Sequence, residues 1–153
     1  MSEIDPAVLD TVKELLGTAV PFAAHAGVTV TSVTDGMAMA ELADERFTKN
    51  HIGTHHAGAL FTAAEAASGA ALAGAMANVL TEMRAVVRSS TISYRTPAEG
   101  VITATASTSK PGSTARAEYA ADGRTTFDID VSMTNAAGDE VASMTVAWLV
   151  SRP

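Results

Sequence analysis

Residues 57–80 constrain the fold of this chain more than any other stretch. The run is mostly Ala and Gly, and Glu65 is the one ionisable residue between His56 and Glu82. It is too long for a strand. Thr62, Glu65, Ser68 and Asn78 interrupt it, and a charge near the middle of a membrane span is costly. The pattern predicts one buried helix over about 57–80, with side chains small enough for neighbouring backbones to approach closely.

Beyond this helix the apolar pattern changes to period two, over residues 86–94, 101–108, 126–133 and 141–150. Turn signals lie at 97–100 and 135–138. Upstream, Val28, Val30 and Val33 mark a strand, Asp35-Gly36 a hairpin turn, and residues 37–42 a second strand. Asp5-Pro6 followed by Val8, Leu9, Val12, Leu15 and Leu16 reads as a short N-terminal helix ending at Gly17, and Pro21 closes the segment after it. Residues 114–121, between Pro111-Gly112-Ser113 and Asp122-Gly123, have the composition of a short surface helix.

An antiparallel sheet of about six strands must cover its apolar face, and only the 57–80 helix is long and apolar enough to do so. The expected architecture is α+β, a sheet wrapped around one central helix, in a single domain over residues 1–153 without repeat or linker. Apolar residues make up 47% of the chain but aromatics only 5%, so Ala, Val, Leu, Ile and Met must build the core. A net charge of -7 argues against a phosphate-backbone partner. The absence of Cys removes thiolate chemistry and disulfides, and the start Met1-Ser2-Glu3-Ile4-Asp5 does not resemble a signal peptide, so the expected location is cytoplasmic with no membrane contact.

Chemistry concentrates where a polar, His-rich loop meets the buried helix, from Asn50 to Glu65. A helix N-terminus presents free N–H groups and the positive end of a dipole, a natural holder for a developing oxyanion. Glu65 sits among Phe61, Ala64 and Ala66; burial there raises a carboxylate's pKa towards the range of a general base, whereas an exposed helical stripe would leave it ordinary. Ala57 and Glu65 are eight residues apart, about 12 Å along a helix, so the two cannot reach one carbonyl. If both are catalytic, each site takes one from either subunit of an oligomer.

Asn50, His56-Ala57-Gly58, and Glu65 nine residues after the His resemble the Asn … His-Gly-Gly … Asp/Glu signature of hotdog-fold acyl-CoA thioesterases, in particular the phenylacetate-pathway and 4-hydroxybenzoyl-CoA branches. The stretch from Ile92 to Gly100 and the closing strand through Trp148 extend the likeness to most of the chain. The resemblance implies hydrolysis of an acyl-CoA to acid and free thiol. In that scheme the Ala57 N–H polarises the thioester carbonyl, Asn50 positions water or the carbonyl, and His56 fixes the loop. Glu65 of the partner acts as base or nucleophile. It implies no cofactor beyond the CoA that the substrate carries, no metal, and a homodimer as the smallest active unit, paired into a tetramer. Ala57 in place of the first Gly, Glu in place of Asp, and Val87 where relatives place a hydroxyl are departures; Ser68, Ser89 and Thr91 are candidate replacements for that hydroxyl.

Arg88, Arg95 and Lys110 are the candidates for CoA phosphates, chosen from a set that also holds Lys49, Arg84 and Arg116. The methionines at 37, 39, 76, 83, 133 and 144 are either core or the lining of an acyl tunnel. His51, His55, His56 and Glu65 can also be read as a metal cluster, a weaker reading because the loop lacks helical periodicity. A non-catalytic acyl-CoA binder and an acyl-thioester dehydratase or hydratase are the competing functions.

Overall fold

A computed structural model of the chain describes residues 3–153. Met1 and Ser2, the start of the segment weighed as a leader, lie outside the described residues. Two helices open the fold, α1 (Pro6–Ala19) and α2 (Pro21–His25). Asp5 caps the first, accepting the Ala7 N–H at 2.9 Å, and Pro begins both, where its missing N–H costs nothing. The strands β1 (Val28–Thr34) and β2 (Met37–Leu42) then form a hairpin whose turn places Gly36 at φ 85, a conformation that glycine adopts without strain.

The central helix α3 (Ala57–Ala75) follows. It ends five residues before the expected position 80: Met76 leaves the helical region, and Ala77–Glu82 tighten into a 3-10 turn. The hydrophobic run continues past that point, which is why the sequence pattern does not mark the change. Next come β3 (Arg84–Tyr94), β4 (Ile102–Thr108), α4 (Gly112–Asp122), β5 (Arg124–Thr134) and β6 (Glu140–Ser151). All six strands form one sheet in the order β1-β2-β4-β5-β6-β3, with every adjacent pair antiparallel.

Alternation decides which face is buried. Ala38, Ala40 and Leu42 of β2, Ile102, Ala104 and Ala106 of β4, and Phe127, Ile129, Val131 and Met133 of β5 all point to α3. The helix answers with Ala63, Ala64, Ala67, Ala70 and Ala71. Alanine against alanine brings helix and sheet backbones together, most closely at Gly74, where a Cβ would stand 2.1 Å from the Thr34 carbonyl oxygen. The sheet is therefore wrapped around the helix, and among the described residues no helix is long and apolar enough to cross a membrane.

The helix at 114–121 is present but is not purely a surface element. Arg116 points inward and is 2% exposed, with a bidentate ion pair to Asp35 at 3.0 and 3.1 Å and a 2.5 Å bond to the Ala75 carbonyl at the end of α3. It ties α4, the first hairpin and the α3 terminus together, so it is not free for phosphate.

Gly74→Ala should destabilise the fold by about 1–3 kcal/mol through overpacking, although Ala is the better helix former by about 1 kcal/mol. Urea unfolding reads the difference; an unchanged or higher midpoint would contradict the close approach.

Candidate active site

The loop before α3 is built around two side chains. The Asn50 carboxamide oxygen accepts the N–H groups of Ile52 (3.0 Å) and Thr54 (3.1 Å), while its NH2 donates to the Thr54 hydroxyl (2.7 Å) and the His55 carbonyl (3.3 Å). Its full donor capacity is used within the loop, so in this structure Asn50 shapes the loop directly. His56 is the N-cap of α3: its Nδ1 accepts the Gly58 N–H at 2.9 Å, and its carbonyl takes the Ala59 N–H. The Ala57 N–H, between these, has no acceptor among the described residues. It is the uncommitted amide at the positive end of α3.

That amide borders a cleft lined by Asn50, Thr54, His55, Ala57, Tyr94 and Arg95, with Leu60 and residues 96–98. Tyr94 donates its hydroxyl to the Ala57 carbonyl at 3.1 Å, and partial burial raises its pKa. His55, only 3% exposed, places Nε2 at 2.6 Å from the Gly100 carbonyl, so Nε2 donates there, and Nδ1 has no hydrogen-bond partner among the described residues. Sequence reasoning assigned no role to Tyr94 or Thr54, and read His55 only as a candidate metal ligand. Tyr94 lies in the quoted stretch from Ile92 to Gly100, but no spacing links it to Ala57; only the fold does.

Glu65 lies elsewhere. It borders a separate apolar cavity of about 270 Å³ between α3 and the α1–α2 segment, with Trp148 of β6 and Met83 also on its walls. The side chain is half-buried and has no hydrogen-bond or ion-pair partner among the described residues; burial alone pushes its pKa up. The exposed-stripe reading of Glu65 is thus not what the fold produces. One chain separates the two parts of the predicted site, with the amide in one cleft and the carboxylate in the other.

The remaining candidates divide clearly. Arg95 borders the amide cleft while pairing with Glu140 (2.7 Å) and Ser143 (3.0 Å). Lys110 pairs with Glu118 and Lys49 with Asp44; Arg88 is exposed at a bulge of β3 without an ion pair among the described residues. Lys110 and Arg88 border neither cleft. Ser68 is occupied, donating to the Glu65 carbonyl (2.7 Å) and accepting from Trp148 Nε1 (3.2 Å), whereas Ser89 and Thr91 are exposed on β3. Met76, Met133 and Met144 are core. The loop histidines and Glu65 do not converge, and no group of His, Asp or Glu suited to a metal forms among the described residues.

The profile of the family described as Domain of unknown function (DUF4442) matches residues 10–150, and the chain belongs to that family. No curated protein matches it. Among solved structures, a Pseudomonas aeruginosa protein of unknown function, described as a probable thioesterase, superimposes with a TM-score of 0.77 at 21% identity, covering 99% of each chain. A thioesterase family protein from Silicibacter pomeroyi gives 0.76 at 19% identity, covering 95% of this chain and 99% of its own. The PaaI protein of the Escherichia coli phenylacetic acid degradation operon gives 0.71 at 20%, covering 96% and 94%. The fold shared with these proteins is the hotdog fold expected from the sequence.

Because the folded pKa of Glu65 is raised above its value of 4.5 in the unfolded chain, the folded state binds more protons between the two, and stability falls as pH rises through that window. Glu65→Gln should therefore match wild-type stability below about pH 4, exceed it increasingly as pH rises through the raised pKa, and by a constant amount above it. Thermal unfolding at a series of pH values measures this; a constant difference across the range would contradict the burial.

Proposed function

We propose that this member of the family hydrolyses acyl-CoA thioesters, with Glu65 as general base and the Ala57 amide as oxyanion donor. One observation carries the reading: a half-buried carboxylate beside an apolar cavity, and an amide at the N-terminus of α3, neither with a hydrogen-bond partner among the described residues. Glu65 takes a proton from water, whose oxygen attacks the thioester carbonyl carbon. Negative charge gathers on the carbonyl oxygen, where the Ala57 N–H and the α3 dipole stabilise it. Collapse breaks the C–S bond, and the proton held by Glu65 passes to the departing thiolate. A raised carboxylate pKa suits both transfers.

Within one chain the two groups are about 12 Å apart along α3. The reading therefore requires a homodimer in which each site takes Glu65 from one subunit and the loop of Asn50, His56, Ala57 and Gly58 from the other. The edge strand β3 supports this: eleven residues long, it pairs only with β6 and leaves Val86 and Val87 exposed. A long unpaired edge invites pairing with a second copy. Arg95, at the rim of the amide cleft, is the best placed of the proposed phosphate contacts.

Two variants test the roles separately when free-thiol release is followed over a range of acyl-CoAs. Glu65→Ala should lower kcat by about 10²–10⁴. Ala57→Pro removes the amide hydrogen at the first helical position, where Pro fits, and His56 at φ -64 and ψ 139 already has the conformation that precedes proline. It should lower kcat by about 10²–10³ without loss of the fold. Wild-type rates in either variant would overturn the assignment, and tight binding without turnover in the wild type would mark a binding module instead.

A further inference from the structure

We infer that the cavity under α1 and α2 holds the substrate's acyl group as an aliphatic chain of roughly eight to ten carbons, and that Gly17 sets the length accepted. The inference rests on the reading of Glu65 as the reacting carboxylate and adds the substrate class. Among the described residues Glu65 is the only lining residue with an ionisable side chain; every other wall residue is Ala, Gly, Val, Leu, Met or Trp, and the Trp148 N–H is already given to Ser68. An acyl group carrying a hydroxyl or a charge beyond the carbonyl would lose its water there and find no partner. An alkyl chain gains burial along its whole length.

The length follows from the helix. Glu65, Ala66, Gly69, Ala70 and Ala73 line the cavity along one stripe of α3. From Glu65 to Ala73 the stripe advances about 12 Å at 1.5 Å per residue. Tetrahedral carbons joined by bonds of about 1.5 Å advance by about 1.3 Å each in an extended chain, which gives eight to ten carbons beyond the carboxylate.

Gly17 has no local reason to be glycine. It lies in the last turns of α1, its φ is not positive, and a Cβ there would meet nothing within 4 Å. Alanine would make the better helix. Gly17 lines the cavity from an exposed position, where a side chain has room to stand. Gly69 borders the same space, with Trp148 at 3.7 Å from its would-be Cβ. A large side chain at position 17 would meet open space and not packed atoms, so it should leave the core intact, and under this inference it reduces the cavity length open to a chain.

Trp148 is the only tryptophan of the chain and forms part of the wall, so its fluorescence reports occupancy independently of catalysis. Decanoate should change the emission of the wild type saturably, and butyrate should bind at least about tenfold more weakly. Gly17→Phe should weaken decanoate binding by about tenfold or more and lower the ratio of decanoyl-CoA to butyryl-CoA hydrolysis by a similar factor. Gly17→Ala should fall between the two. Wild-type emission unmoved by decanoate, or a folded Gly17→Phe that binds decanoate as the wild type does, would overturn the inference. Should Gly17→Phe fail to fold, the wild-type titration decides alone. Decanoate binding in a wild type that hydrolyses no thioester would uphold the cavity's assignment and reject the thioesterase reading.

Discussion

The close contact of α3 with the sheet is the constraint on which the rest depends. Alanines on both surfaces let the backbones approach, and Gly74 lies so near Thr34 that even a methyl group would collide. A helix held this tightly cannot rotate about its axis. Its free stripe, containing Glu65, Ala66, Gly69 and Ala73, is then fixed towards α1 and α2. Burial of a lone carboxylate follows from that orientation, and so does the raised pKa. Arg116 reinforces the arrangement from the other end by holding the Ala75 carbonyl and the Asp35 turn.

The same rigidity separates the site's parts. The N-terminus of α3 offers its amide on one side of the fold, and Glu65 emerges more than two turns later in a different cleft. The loop that presents the amide is equally fixed. Asn50 spends all its hydrogen bonds on it, and His56 caps the helix while leaving the Ala57 N–H unclaimed. Such preorganisation suits stabilisation of charge that develops during a reaction. Under the proposed mechanism, two half-sites on one rigid frame require a second copy to complete either.

Much of this was legible in the sequence. The Ala-rich run, the change to period two, and the Asp35-Gly36 turn lead to a sheet wrapped around a helix, and each element stands close to where these signals put it. The end of α3 was not legible, because Val79 and Leu80 prolong the apolar pattern through the 3-10 turn. Glu65 stood out as the one charge in an apolar run, but its cavity did not, since Leu16, Gly17 and Val20 come from the end of α1 and the residue after it, some fifty residues earlier. The cations were the least legible group. Arg116 and Lys110 look alike in sequence, yet one is a buried pin and the other a surface pair, a distinction made by Asp35 and Glu118 after folding.

The central claim, that each active site is assembled from two subunits, is tested most directly by mixing two inactive proteins. Glu65→Ala and Ala57→Pro subunits, unfolded together in equal amounts and refolded, form mixed dimers with one intact site each. With half the dimers mixed and one of their two sites restored, about a quarter of wild-type activity should return. If the mixture stays as inactive as its components while mixed dimers are shown to form, the carboxylate and the amide do not act in a shared site, and the account fails.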